Sequence, residues 1–179
     1  NAQELLREIV DKKLLTAHAV YGFYPANSAG DDIVVYSDAS GARELARFHT
    51  LRQQKESQRG KPQLALADFI APRETGLLDY IGLFAVTAGL GIEKKEMQFL
   101  DDHDDYSAIM LKALADRLVE AFAERLHQRV RTDLWGYAAD EALSTEELVA
   151  EKYRGIRPAP GYPACPEHSV KRDMFRVLQ

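Results

Sequence analysis

An α+β fold, a mainly antiparallel twisted sheet with long helices packed against it, is what the order of patterns along this 179-residue chain predicts. Three observations carry that expectation. Residues 16–90 are crowded with β-branched and aromatic runs, and residues 91–154 are dominated by apolar residues at helical spacing. The two kinds of pattern are segregated along the chain, whereas parallel βαβ units would alternate them. A rigid proline-rich loop then occupies 155–168, and 169–179 begin a further helix.

Each element has its own signal. Leu5, Leu6, Ile9, Val10 and Leu14 fall on one face of a helix over residues 2–15. That helix opens with neither an N-cap nor an initiator Met, so the chain reads as a piece of something longer. Ala19–Pro25 is a strand closed by proline. Asn27–Asp32 is a turn, and Asp32–Tyr36 is a second strand that pairs with the first as a hairpin. In Glu44–Thr50, Leu45, Arg47 and His49 alternate with Ala46 and Phe48, the period of a half-buried strand. Lys55–Pro62 is a polar loop, expected to be mobile. Leu66–Pro72 is a short segment ended by proline. Asp79–Thr87 is the strongest strand and, being almost wholly apolar, is expected at the centre of the sheet.

From Tyr106 to Leu134 the residues Leu111, Leu114, Leu118, Phe122, Leu126, Val130 and Leu134 recur at three or four. They form a stripe down about eight turns of helix that should lie across the sheet. Asp104 or Asp105 caps its start, and Arg129 and Arg131 suit the negative end of its dipole. Ser144–Tyr153 is a shorter helix in which Ser144 or Thr145 with Glu146 or Glu147 forms a capping box. Val170–Leu178 is the last helix.

Composition narrows the function. A formal charge of −5 and no basic stripe argue against nucleic acid or an anionic membrane as the main partner. The longest apolar run, Tyr80–Leu90, is too short to span a bilayer. The single cysteine, Cys165, can form neither an internal disulfide nor a thiolate metal site, which fits a cytoplasmic protein. His18, His49, His103, His127 and His168 show no metal-ligand spacing, so no metal site is expected. The chain also lacks a phosphate-binding glycine loop, a Gly-x-Ser-x-Gly elbow and a zincin motif. No catalytic residue is assigned, and what remains is binding and positioning.

Two features offer that. In 155–168, Pro158, Pro160, Pro163 and Pro166 fix φ and remove four amide donors, which excludes a helix or an interior strand. The amides of Ala159, Gly161 and Tyr162 must then find partners in solvent, protein or ligand. Gly161 permits close approach of a ligand, Arg157 offers a planar fork to a carboxylate or phosphate, and Tyr162 offers a ring and a hydroxyl. On the long helix, Asp116, Glu120 and Glu124 share one face at a spacing of four. That is either a solvated face relieved by Lys112 and Arg117 or a site for a cation or ammonium group.

The loop Arg157-Pro158-Ala159-Pro160-Gly161-Tyr162-Pro163-Ala164-Cys165-Pro166-Glu167-His168 resembles the S-adenosylmethionine-binding motif of the activation domain of cobalamin-dependent methionine synthase. Further blocks resemble that family in order: Gly22-Phe23-Tyr24-Pro25-Ala26-Asn27, Leu51-Arg52-Gln53-Gln54, Leu66 to Pro72, Asp79 to Val86, and Asp104 to Glu124. The resemblance covers nearly the whole chain, 1–179, and implies a module that positions S-adenosylmethionine for the reductive methylation of cob(II)alamin. It implies Arg157 on the methionyl carboxylate, Glu120 favouring the ammonium or sulfonium, and main-chain groups at Ala159, Gly161 and Tyr162 along the cofactor. Asp116 and Tyr162 would meet the cobalamin-binding module of the same enzyme, and Glu124 would remain solvated.

The resemblance implies a parent enzyme that passes methyl from methyltetrahydrofolate to homocysteine. Its cobalamin and zinc lie in other modules, and its electron donor is flavodoxin or a related reductase. The family's upstream Asp-Trp-Thr-Pro segment and its downstream tyrosine strand are not among these residues. Residues 1–179 alone are therefore expected to bind S-adenosylmethionine weakly or not at all. The alternative from another class is a non-enzymatic interaction module that presents the proline-rich loop to an aromatic groove.

Overall fold

Alternating side chains in the first half of the chain build a four-stranded sheet. The computed structural model describes residues 2–54 and 60–179. Its elements are α1 (Ala2–Asp11), β1 (Thr16–Ala29), β2 (Asp32–Tyr36), β3 (Glu44–His49), β4 (Asp79–Leu90), α2 (Ile92–Asp101), α3 (Asp105–Arg129), α4 (Thr145–Val149) and α5 (Val170–Val177). The strand order is β3-β2-β1-β4, with β1–β2 and β2–β3 antiparallel. The α+β class follows, with strands first and the larger helices after them. Most of the polar loop expected at 55–62 lies outside the described residues.

Contacts divide the chain into two compact units, Asn1–Ala19 with Val86–Gly155, and Val20–Ala85 with Ile156–Gln179. In the second unit, β1 and β2 join through Gly30-Asp31, where Gly30 takes φ 64°, a left-handed conformation that costs glycine little. The core is one face of the sheet: Ala26, Ile33, Val35, Ala46, Phe48, Ile81 and Leu83, closed by Ala67, Cys165 and Val170. Ala46 and Phe48 are buried, as the period-two pattern of β3 requires. Met174 and Val177, four and seven positions beyond Val170, pack α5 against that core. The Tyr24 hydroxyl donates to the Val177 carbonyl at 2.9 Å and ties the end of α5 to β1.

Three expectations about the strands need correction. Pro25 does not end β1, because the ladder to β2 runs only from Ala26 to Ala29 and asks no amide of residue 25. Asn27 and Ser28 belong to the strand rather than to the turn, and both are buried. The Asn27 amide donates to the carbonyls of Ala71 (3.0 Å) and Leu77 (2.7 Å), and the Ser28 hydroxyl to that of Ile70 (3.0 Å). These bonds replace the local ones a turn would have made. Finally, β4 stands at an edge of the sheet, not at its centre, and buries only Ile81, Leu83 and Ala88. Its apolar run is thinned by Gly82, Ala85 and Gly89, and the interior place goes to β2, where Ile33, Val34 and Val35 are all fully buried.

In the first unit, Leu5 and Ile9 of α1 and Leu111 of α3 form a core joined by Leu14, Leu15, Ile92, Phe99, Met110, Leu114 and Leu118. The upper part of the α3 stripe therefore packs against α1 and α2, helices of its own unit. Asp104 caps α3 by accepting from the Ser107 amide at 3.0 Å. The helix widens in its last turn, Val130–Leu134, where the Trp135 amide reaches back five residues to the Val130 carbonyl at 2.9 Å. Ser144 and Glu147 form a reciprocal capping box for α4, Ser144 N–H to Glu147 Oε2 at 3.0 Å and Glu147 N–H to Ser144 Oγ at 3.3 Å.

Candidate functional site

The proline-rich loop is ordered by its own backbone. The Tyr162 amide donates to the Ala159 carbonyl at 3.0 Å, the Gly161 amide to the Cys165 carbonyl at 2.8 Å, and the Cys165 amide to the Tyr162 carbonyl at 2.9 Å. Prolines restrict φ on either side of this double turn, so few conformations compete with it. Two contacts fasten it to the second unit. The Leu66 amide donates to the Ala164 carbonyl at 2.7 Å, and the Cys165 side chain, 1% exposed, is part of the core. Burial, with the Glu167 charge adding to it, pushes the Cys165 thiol up.

Of the partners left open for these amides, solvent, protein or ligand, two amides take protein. Those of Gly161 and Tyr162 close the loop on itself, leaving them no proton for a ligand. Only the Ala159 amide, of the three, has no intramolecular acceptor among the described residues. What the tip presents outward is the Tyr162 side chain, which is 61% exposed. Arg157 is half-buried where the loop begins, and Ala159 and Gly161 are exposed. Ala159, Gly161 and Tyr162 are thus brought together in one turn.

Gly161 has φ 106°, a region that side chains disfavour. It is also hemmed in: a Cβ there would collide with the His168 ring, coming within 2.7 Å of Nε2 and closer still to Cε1. His168 in turn receives a hydrogen bond at Nδ1 from the Lys171 ammonium at 3.1 Å. Glu167 accepts from the Ser169 amide at 2.7 Å, which holds its carboxyl below the usual range and fixes the chain where α5 starts. Nothing in the spacing of His168 announced this role; only the pairing of a glycine with a later histidine across the turn reveals it.

The helix carboxylates belong to the first unit. Asp116 and Glu120 are exposed on α3 and Glu124 is half-buried, not solvated as expected. Lys112 does not relieve that face, because its ammonium pairs with Glu96 of α2 at 2.5 Å.

A second polar cluster lies at the end of α3. Arg131, expected at the exposed end of the helix dipole, is fully buried. Its guanidinium makes a two-pronged pair with Glu141, both contacts 2.7 Å, and donates to His127 Nδ1 at 2.8 Å. It also lies over the Tyr153 ring, 4.1 Å from the centroid, and that ring packs edge-on against His127. The guanidinium holds the Glu141 carboxyl below the usual range. The four-residue spacing of His127 and Arg131 was a readable signal, but the third partner, ten residues on, was not. Among the described residues no group of three or more His, Cys, Asp or Glu is placed to hold a metal, and no helix is long and apolar enough to cross a membrane.

The class this describes is an α+β module that carries a preformed, proline-braced loop with an arginine at its mouth. The family model described as vitamin B12 dependent methionine synthase, activation domain, matches residues 1–179, and the chain belongs to that family. Among solved structures it is similar to the crystal structure of the MetH reactivation domain bound to AdoHcy, at 51% identity and a TM-score of 0.91. That similarity covers 99% of this chain and 54% of the other, so the chain spans about half the length of that relative.

Proposed function

We propose that this chain binds S-adenosylmethionine at the 155–168 loop and holds it for methyl transfer to cobalamin carried by another module of a methionine synthase. The observation that carries the reading is the closed, core-anchored turn at Ala159–Cys165 in a chain 51% identical to a domain bound to AdoHcy. A ligand meeting a turn already ordered loses little further entropy on binding.

In this reading Arg157 takes the cofactor's carboxylate as a two-pronged partner, and the Ala159 amide donates the hydrogen bond that the turn leaves over. Main-chain groups at Gly161 line the cofactor, and Tyr162 lies where the transferred methyl leaves. Glu120 favours the ammonium or sulfonium, and Asp116 and Tyr162 meet the cobalamin module; the parts of Asp116 and Glu120 rest on the family resemblance alone. S-adenosylmethionine supplies a sulfonium methyl to one-electron-reduced cobalamin, the electron coming from flavodoxin or a related reductase. The chain contributes positioning, not acid–base chemistry. The parent enzyme would be a cytoplasmic 5-methyltetrahydrofolate–homocysteine methyltransferase.

The rival reading, a proline-rich ligand for an aromatic groove, requires an extended backbone with unpaired amides. This loop folds back on itself and buries Cys165, which disfavours it. The test is calorimetry with S-adenosylhomocysteine on a protein in which this chain is extended to the full length of the relative that it half spans. We expect saturable binding that Arg157→Ala weakens by about 2–3 kcal/mol, the scale of a charge-assisted bond. No saturable binding by the wild-type protein, or an unchanged affinity in the variant, would overturn it.

A further inference from the structure

We infer that His168 is the positioning residue for the tip of the cofactor loop, acting as a rigid back wall to Gly161 and Tyr162. This rests on the proposed S-adenosylmethionine site and adds a residue to it. A tip held only by backbone bonds between Ala159, Gly161, Tyr162 and Cys165 could still open as a unit, because Gly161 has no side chain of its own to pack. The His168 imidazole fills the space beside Gly161 where a Cβ would stand, so the turn is bounded there by an aromatic plane instead of water.

The ring is itself oriented. Lys171, on the first turn of α5, has only protons to give and donates to Nδ1, which places the ring proton on Nε2, the edge nearer Gly161. The backbone on either side is fixed by the Ser169 amide on Glu167 and by the Lys171 amide on the His168 carbonyl at 3.2 Å. His168 ends the loop two residues before α5, and because α5 packs into the core through Val170, Met174 and Val177, the wall is tied to a fixed helix at the loop's far end. An exposed histidine with a fixed ring plane against a glycine of positive φ thus converts the rigidity of α5 into rigidity of the tip.

The experiment compares His168→Ala, which removes the wall, with His168→Phe, which keeps the ring and loses the Lys171 bond. Two readouts are taken: amide hydrogen exchange at Gly161 and Cys165, and affinity for S-adenosylhomocysteine. We expect His168→Ala to speed exchange at both amides on the order of tenfold and to weaken the ligand by a similar factor, with the melting temperature nearly unchanged. His168→Phe should restore the slow exchange. Unchanged exchange in His168→Ala, or equally fast exchange in His168→Phe, overturns the inference. The exchange arm needs no ligand, so a wild-type protein that fails to bind would sink the proposed function while the role of His168 is still decided.

Discussion

Two irregular segments of this molecule are made rigid by opposite means. At the end of α3 the side chains do the holding: Arg131 is fully buried, and its donors go to Glu141 and His127 while its plane covers Tyr153. In the 155–168 loop the backbone does the holding, through prolines, three internal amide bonds and one buried thiol. The difference separates order held by side chains from order held by the main chain, and on the proposed function only the second serves a ligand. Where side chains are consumed by each other, nothing is left to recognise a ligand; where the main chain closes on itself, the Tyr162 side chain stays exposed.

Substitutions can break this contrast at either end. The largest expected effect is at the buried cluster, where Arg131→Met leaves the Glu141 carboxylate buried without its partner. A loss of about 3–5 kcal/mol is expected, read as a lower midpoint in denaturant titration, and a loss under about 1 kcal/mol would show that the pair is not holding the segment. Next is Gly161→Ala, which meets both a disfavoured φ and the His168 ring. It should destabilise by about 1–3 kcal/mol and abolish ligand binding, whereas a variant that binds normally would mean the turn reorganises freely.

The smallest effect is a pH dependence. Arg131 lowers the folded-state pKa of Glu141, so the stabilisation is present above the unfolded value, about 4.3 for Glu, and is lost as pH falls through the folded value. Glu141→Gln should therefore be less stable than wild type at neutral pH, with the gap closing in acid. A gap that stays constant between pH 7 and pH 3 would contradict this.

What could be read from the sequence, and what could not, follows the same division. Local rules worked where a residue answers to its own neighbours: Ala46 and Phe48 alternate into the core, Asp104 caps α3, and Ser144 with Glu147 closes α4. The loop was legible because proline acts on its own backbone whatever surrounds it. Long-range partners were not. Arg131 reads as a dipole-compensating surface residue until Glu141 is folded onto it. The Gly161 and Tyr162 amides stay open between solvent, protein and ligand until Cys165 and Ala159 accept them, and β4 reads as central until the strand order puts β2 inside. Pattern gives the period of a strand but not its place in the sheet, because neighbours are chosen by packing across the whole unit.

The burial of Cys165 has a chemical consequence if the loop hosts a sulfonium as proposed. A thiolate is the softest and most reactive nucleophile among ordinary side chains, and a sulfonium methyl is the kind of electrophile it attacks. A free thiolate eight residues from Arg157, at the tip's own hinge, would compete with cobalt for the methyl and end as a dead thioether. Here the thiol is enclosed, and burial keeps its proton on, so the residue can close the turn without becoming an acceptor in its own right.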